Sequence, residues 1–302
     1  MPSLASTTAA VIVVFRPDSV VETIVGALIG QIALVVAVDN SIDGHQGLAA
    51  IAEQPGLVRI ANQNRGGLAG AYNQALTVIR ARHPGITQVV FLDEDSDAST
   101  LPRLLSDPGM RDRLSDGMTA AVSPAYVDRA TGLRGKYIQL RRFGFDYLPR
   151  IFEGMRRVAF VINSMSIWSM QALVRIGPFN EGLAIDHVDT EYCLRARQAG
   201  LGVYVNGSFE FLHSIGQRRR FKLLGHVMQA GGHSPGRRYL IGRNTAWLGR
   251  QYLWREPAFA FLCLTRLIYE VVGIGMAEDR RAAKLWALLR GALVGVLSLR
   301  LR

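Results

Sequence analysis

The sequence predicts an α/β fold in which a mostly parallel sheet carries helices on both faces. Three observations support this. Short β-branched apolar runs recur through the first half. Each is followed by a stretch with apolar residues at helical spacing, and polar or glycine-rich segments close the runs. The chain has 302 residues, of which 49% are hydrophobic and 20% charged. That is enough to bury a sizeable core, as one large domain or one domain with an appendage, and it excludes a disordered protein.

The elements follow in order. "AAVIVVF" reads as a first strand, and "DSVVETIVGALIGQ" as a helix with Val21, Ile24, Val25 and Leu28 on one face and Asp18 or Ser19 as its cap. "ALVVAVDNS" is a second buried strand, followed by a helix over about 46 to 54, and "LVRIANQN" is a third strand. "GGLAGAYNQALTVIRAR" reads as a helix and "ITQVVFLDEDS" as a fourth strand. Sheets of this kind bind ligands at the carboxyl ends of their strands.

Polar features stand at those ends. Asp39 and Asn40 in "VDNS" suit either a ligand or the capping of the next turn. In "NQNRGGLAGAYN", Gly66 and Gly67 would let backbone N–H groups approach a diphosphate, yet the spacing matches neither a dinucleotide fingerprint nor a P-loop. "VVFLDEDSDAS" runs from apolar residues straight into Asp93, Glu94, Asp95 and Asp97. Asp93 and Asp95, one residue apart at a strand end, point the same way and offer hard oxygen ligands for Mg²⁺ or Mn²⁺ carrying substrate phosphates. The plain structural alternative is a solvated acidic loop that caps the helix near "STLPRLL".

Charge is distributed unevenly. The net charge is +11, but the first 215 residues carry 19 basic and 20 acidic side chains, whereas the remainder carries 16 and 4. A neutral catalytic part and a basic tail are expected, the tail facing an anionic surface such as membrane lipid or nucleic acid. Cys193 and Cys263 stand far apart without a CxxC pattern, so neither a disulfide framework nor a cysteine zinc site is predicted. A reducing cytoplasm is the expected location, and the N-terminal apolar run reads as a strand rather than a signal peptide.

"VVFRPD", "VDNS", "NQNRGGLAGAYN" and "FLDEDS", in this order, resemble the nucleotide-sugar half of family 2 glycosyltransferases, which have the GT-A fold. "IGPFNEGLAIDHVDTEYCLRARQAG" resembles that family's acceptor-side signature, and "HSIGQ" its late histidine motif. Together with "SPGRRYLIGRN", the set is similar to the bacterial rhamnosyltransferase branch, which uses dTDP-rhamnose in cell-surface polysaccharide assembly. The resemblance covers roughly residues 10 to 250 and implies a catalytic domain over 1–215, with its nucleotide-sugar half over about 1–100, and a basic, apolar helical extension over 216–302.

By this resemblance Asp39 binds the nucleobase beside Asn40, with Phe15, Pro17, Asn64, Gly66, Gly67 and Asn73 completing the nucleotide-sugar site. Asp93 contacts the ribose or the metal, Asp95 the metal, and His213 completes the metal set. Relatives often carry Thr-Tyr-Asn where this chain has Val14, Phe15 and Arg16, which leaves Phe15 for base stacking. Asp189 aligns with the family's general base, which takes the acceptor hydroxyl's proton as that oxygen attacks the anomeric carbon. One base on one face implies inversion. As a residue alone, Asp189 also suits a helix N-cap, opening a helix with Tyr192, Cys193 and Ala196 inward and Gly200 at its end.

Asp186, Arg237, Arg238 and Arg243 are candidates for the acceptor or a pyrophosphate, since arginine can clamp phosphate bidentately. The alternative is a basic helix face with aromatic core contacts. After Pro257, "AFAFLCLTRLIYEVVGIGMA" approaches a membrane span in length but carries Arg266 and Glu270 one turn apart. Two amphipathic helices resting on the inner leaflet are therefore expected, with soluble packing or a homo-oligomer interface as the alternative. The expected partners are a nucleotide-sugar donor and a glycan or lipid-linked glycan acceptor. A nucleotidyltransferase would leave "HVDTEYCLRARQAG" without a role, and no DNA- or RNA-binding signature accompanies the basic tail.

Overall fold

A computed structural model describes residues 3–15, 21–214, 219–223 and 226–301. Its strands and helices run in the order β1 (Thr8–Val14), α1 (Val21–Leu28), β2 (Leu34–Asp39), α2 (Gln46–Ala50), β3 (Leu57–Ala61), α3 (Gly67–Arg82) and β4 (Gln88–Asp93). There follow α4 (Leu101–Ser106), α5 (Pro108–Ser115), β5 (Thr119–Asp128), β6 (Ile138–Leu140), β7 (Phe145–Tyr147), β8 (Met155–Val158), β9 (Ser166–Ser169), α6 (Met170–Ile176), α7 (Val188–Gln198) and β10 (Gly202–His213). The last elements are β11 (Arg219–Leu223), β12 (His226–Ala230), α8 (Pro235–Gln251), α9 (Pro257–Ala277) and α10 (Arg281–Leu297).

The chain divides into two compact units. The first comprises Met1–Ile138, Tyr147–Ala184 and Val188–His213. Among its described residues the main sheet has eight strands, ordered β3-β2-β1-β4-β9-β5-β10-β8. β1 is buried along its whole length, which is why its sequence is an unbroken apolar run. It pairs in parallel with β2 on one side and β4 on the other. Strand order therefore reverses at β1, and the carboxyl ends of β1 and β4 flank the crevice in which such sheets bind ligands. Register sets Val14 opposite Asp39 and Val13 opposite Asp93, so both acids reach the same edge of the sheet.

α1 buries Val21, Ile24, Val25 and Leu28, the face expected from spacing. α2 stops at Ala50, short of the expected 54, where Ile51 turns extended. The departure from a parallel sheet is β9, which pairs antiparallel to both β4 and β5. It is entered by a tight turn in which the Ser166 N–H donates to Asn163 O and Met165 adopts a left-handed φ of 62°. β8 is likewise antiparallel, on the sheet edge beside β10.

The second unit comprises Gln139–Asp146, Ile185–His187 and Ser214–Arg302. α8 begins at a Ser234 cap, whose Oγ accepts from the Arg237 N–H, with Pro235 in the first turn. α8 and α10 approach so closely that a Cβ on Gly242, Gly291 or Gly295 would strike backbone of the opposite helix. A buried ion cluster ties these helices to the end of α9. Arg238 pairs with Glu270 and Glu278, and Lys284 Nζ meets Glu278 Oε2 at 3.0 Å. Outside these contacts α9 exposes Phe261, Leu264, Ile268 and Val271, and α10 exposes Trp286, Leu289, Leu293 and Val296. Among the described helices α9 is long and apolar enough to cross a membrane.

Candidate active site

β4 delivers Asp93 half-buried to the sheet edge and leaves Asp95 exposed just beyond it. The turn is fixed from beneath: the Asp93 N–H donates to Ser96 Oγ at 2.8 Å, and Ser96 Oγ lies 2.8 Å from Ser164 Oγ. Burial raises the Asp93 carboxyl to about 6, Asp95 pushes the same way, a Ser164 hydrogen bond opposes, and Asp189 and Glu94 add to the rise. Glu94 turns aside to accept the Phe15 N–H at 2.8 Å, which anchors the end of β1. The Phe15 ring is 54% exposed, as a stacking surface requires. Pro17 lies outside the described residues.

At the end of β2, both Asp39 carboxylate oxygens accept backbone N–H groups, from Ser41 at 2.9 Å and His45 at 2.7 Å. The turn-capping alternative therefore describes what Asp39 does within the chain. Asn40 is buried, donating to Asn64 Oδ1 at 3.2 Å and accepting from Asn62 Nδ2 at 2.6 Å. Asn62, which the sequence did not single out, is the hub of this amide network and also reaches Arg65 O at 2.8 Å. Asn64 holds a left-handed φ of 55°.

The glycine-rich turn differs from expectation. A Cβ on Gly66 would strike the Glu181 carboxylate, and one on Gly67 the Ala184 backbone. The Gly67 N–H donates to Asn64 O at 3.1 Å and the Leu68 N–H to Ala184 O at 2.8 Å. The two glycines thus seat the 181–184 loop, and these amides are used inside the protein rather than turned to a diphosphate. Asn73 is corrected likewise. Its Nδ2 donates to Phe179 O and Glu181 Oε1 and its Oδ1 accepts the Phe179 N–H at 2.8 Å, so it clamps the same loop.

That loop leads towards α7, whose first turn carries Asp189. Asp189 lies inside the helix, one residue past its start, and Oδ1 accepts the Thr190 N–H at 2.7 Å. α7 buries Tyr192, Cys193 and Ala196 as expected and also Glu191, which pairs with Arg195 at 2.8 Å. The Asp93 and Asp189 charges both act on Tyr72, so the two carboxylates share one electrostatic neighbourhood.

His213, the last residue of β10, sets its ring near Tyr126 and Phe211, with centroids 6.1 and 6.0 Å away. Among the described residues no three His, Cys, Asp or Glu side chains gather at a common cation position. The three-ligand set Asp93, Asp95 and His213 is therefore not assembled. Asp93 and Asp95 leave two neighbouring carboxylates of the hard-oxygen type that suits a divalent cation, and the Asp95 charge is, after burial, the second contribution to the raised Asp93 carboxyl.

The candidate acceptor set falls in the second unit. Arg238 is fully buried and doubly paired with Glu270 and Glu278, which removes it as a phosphate clamp. Arg237 is bidentate on Asp186. Arg243 Nε donates to Asn244 Oδ1 at 3.0 Å. Burial, then Arg266, pushes the neighbouring His187 imidazole down to about 3 against the pull of Asp186, so His187 is neutral. Both thiols are buried and pushed up to about 12, chiefly by burial, which leaves them unreactive.

No family model matches the chain. The crystal structure of GalNAc-T7 with UDP, GalNAc and Mn²⁺ superposes with a TM-score of 0.51 at 15% identity, over 79% of this chain and 48% of that one. The first unit has the GT-A glycosyltransferase fold. The chain spans about half the length of that GT-A protein. TarS residues 1–349 from S. aureus match at a TM-score of 0.46 and 13% identity, over 94% of this chain and 71% of that one. In sequence, the chain is 27% identical over 274 residues to the dTDP-rhamnosyl transferase RfbF of Shigella flexneri, covering 86% of this chain and 87% of the relative.

Proposed function

We propose that the chain is a metal-dependent inverting glycosyltransferase that moves rhamnose from dTDP-rhamnose to a hydroxyl of a glycan or lipid-linked glycan in cell-surface polysaccharide synthesis. The observation that carries this reading is the meeting of two acidic groups at the switch point of a GT-A sheet. Asp93 and Asp95 stand at the end of β4, and Asp189 lies within their electrostatic neighbourhood. The choice of donor is supported by the likeness to the Shigella protein.

In this reading Asp93 and Asp95 would hold the divalent cation. The cation supplies charge stabilisation for the departing nucleoside diphosphate. Phe15 offers its exposed ring to the base, beside the Asp39–Asn40 turn. Asp189, held in the first turn of α7, takes the acceptor hydroxyl's proton as that oxygen attacks the anomeric carbon from the face opposite the leaving group. A single base of this kind gives inversion.

The exposed apolar stripes of α9 and α10, with the tail's excess of arginine, support peripheral contact with an anionic leaflet on the cytoplasmic side. The test of function is transfer from dTDP-rhamnose to a panel of lipid-linked and free glycan acceptors, with product mass and anomeric configuration read out. A product heavier by one deoxyhexose with inverted configuration supports the reading. Retention of configuration would overturn the single-displacement mechanism.

A further inference from the structure

Ala184, Asp186 and His187 all hold left-handed φ values, of 57°, 61° and 65°. Ala184 combines its φ with a ψ of −60°, which is the strained γ-turn region. Residues with a Cβ avoid such conformations and keep them only where their surroundings over-determine the backbone, most often at functional sites. This bent strap ends two residues before Asp189, so what holds it matters to the site.

The holding side chains come from α8. Asp186 accepts from Arg237 Nε at 3.2 Å and Nη2 at 3.1 Å. Asn244 Nδ2 donates to Ile185 O at 2.8 Å and to Asp186 O at 3.3 Å. Thr245 Oγ1 lies 2.9 Å from His187 Nε2. Asn244, Thr245 and His187 are all buried, and segment 185–187 belongs with α8 to the second unit, so these bonds lie inside one compact body. Just before the strap, Ala184 O accepts the Leu68 N–H at 2.8 Å; just after it, α7 begins at Val188. Three neighbouring residues of the strap are thus gripped by a guanidinium, an amide and a hydroxyl. Arg237 and Asn244 of "SPGRRYLIGRN" find their use here, on the chain's own backbone and carboxylate.

A rotation about φ or ψ at His187 turns every atom that follows, and the Asp189 carboxylate is the first functional group to follow. Displacing a reacting group by about 1 Å costs up to about 10²-fold in rate. We propose that Asn244 and Thr245 are positioning residues, which lock the strained strap at Asp186 and His187 and so aim the Asp189 carboxylate at the acceptor oxygen. This inference rests on the glycosyl-transfer reading, in which Asp189 is the base. Neither residue touches a substrate; both act through the backbone that leads into α7.

The test reads dTDP release from dTDP-rhamnose by the full chain with Mg²⁺ or Mn²⁺, the sugar passing to water or to a glycan of the acceptor panel. Calorimetry with dTDP runs beside it. Thr245→Val keeps the side-chain shape and removes the hydroxyl that meets His187, whereas Thr245→Ser keeps the hydroxyl. The expected result is a kcat lower by about tenfold in Thr245→Val, with donor KM and dTDP affinity within about twofold, and recovery of kcat in Thr245→Ser. In an Asp189→Asn background Thr245→Val should cost nothing further, because the strap acts through that carboxylate. His187→Asn suits a left-handed φ but lacks the Nε2 atom, so it should repeat the pattern, and it carries the test if Thr245→Val does not fold. An unchanged kcat in a folded variant, a parallel loss of dTDP affinity, or an equal fall in the Asp189→Asn background would overturn the inference alone. Failure of both variants to fold would assign the contact to stability and overturn it as well. Failure of the unsubstituted protein to release dTDP with any acceptor would overturn the glycosyl-transfer reading, and this inference with it.

Discussion

Arg237 binds both carboxylate oxygens of Asp186, Nε to Oδ2 at 3.2 Å and Nη2 to Oδ1 at 3.1 Å. Asp186 is largely buried and Arg237 partly exposed, so the bond completes the second unit rather than presenting a free clamp. Burial alone would raise Asp186, but the hydrogen bond and charge of Arg237, with Arg266, outweigh it and hold the carboxyl below its usual range. A carboxyl depressed in the folded state contributes stability above its unfolded value, and that contribution is lost as pH falls through the folded one. Arg237→Gln should therefore destabilise the chain by about 1–2 kcal/mol at pH 7, allowing for solvent screening of the arginine. Urea denaturation at pH 7 and pH 3 should show the difference shrinking at the lower pH.

Asp93 behaves oppositely. Its folded value of about 6 lies above the ordinary 3.8, so the folded state holds a proton that the unfolded chain releases. Stability without a cation should fall as pH rises between about 4 and 6, and the deficit should be complete above that window. Asp93→Asn should raise stability at pH 7.5 in chelator by about 2–3 kcal/mol and have little effect below pH 4. Thermal melts at both pH values measure this, and a destabilised variant at pH 7.5 would contradict the electrostatic account of the strand end.

For Asp189 the expected outcome is a split between binding and turnover. Asp189→Asn preserves the hydrogen bond to the Thr190 N–H while removing the base. Turnover should fall by about 10² to 10⁴, with nucleotide affinity unchanged. Initial rates beside calorimetry decide the matter. Equal loss of both would reduce Asp189 to a helix-capping role.

The helical unit makes a cellular prediction. Exposed Leu264, Ile268, Trp286 and Leu293 beside a basic tail should carry the protein into the membrane fraction at low salt, with partial release as salt rises. Recovery wholly in the soluble fraction at low salt, together with a stable dimer by sedimentation, would instead assign these helices to a homo-oligomer interface.

The parallel half of the fold was legible because β1, β2 and β4 are buried on both faces and leave continuous apolar runs. The antiparallel β9 was not, because four residues decide nothing locally and their direction is set by pairing with strands far away in sequence. The same limit explains the site. Asp93, Asp95 and Asp189 stand out as acids at the ends of elements. The work of Gly66, Gly67 and Asn73 depends instead on a loop more than a hundred residues downstream, and Arg238 finds Glu278 forty residues on.

The central claim is that the acid pair at the end of β4 is a working donor site for a nucleotide sugar. Its most direct test is the thermal stability of the purified protein against nucleoside diphosphates and their sugars, with and without Mg²⁺ or Mn²⁺. Ligand at about 100 times its dissociation constant adds roughly 2.7 kcal/mol, enough to raise Tm by several degrees. The account predicts a metal-dependent rise with dTDP and dTDP-rhamnose that disappears in Asp95→Asn. A folded protein whose Tm no nucleotide moves, with or without metal, would contradict it.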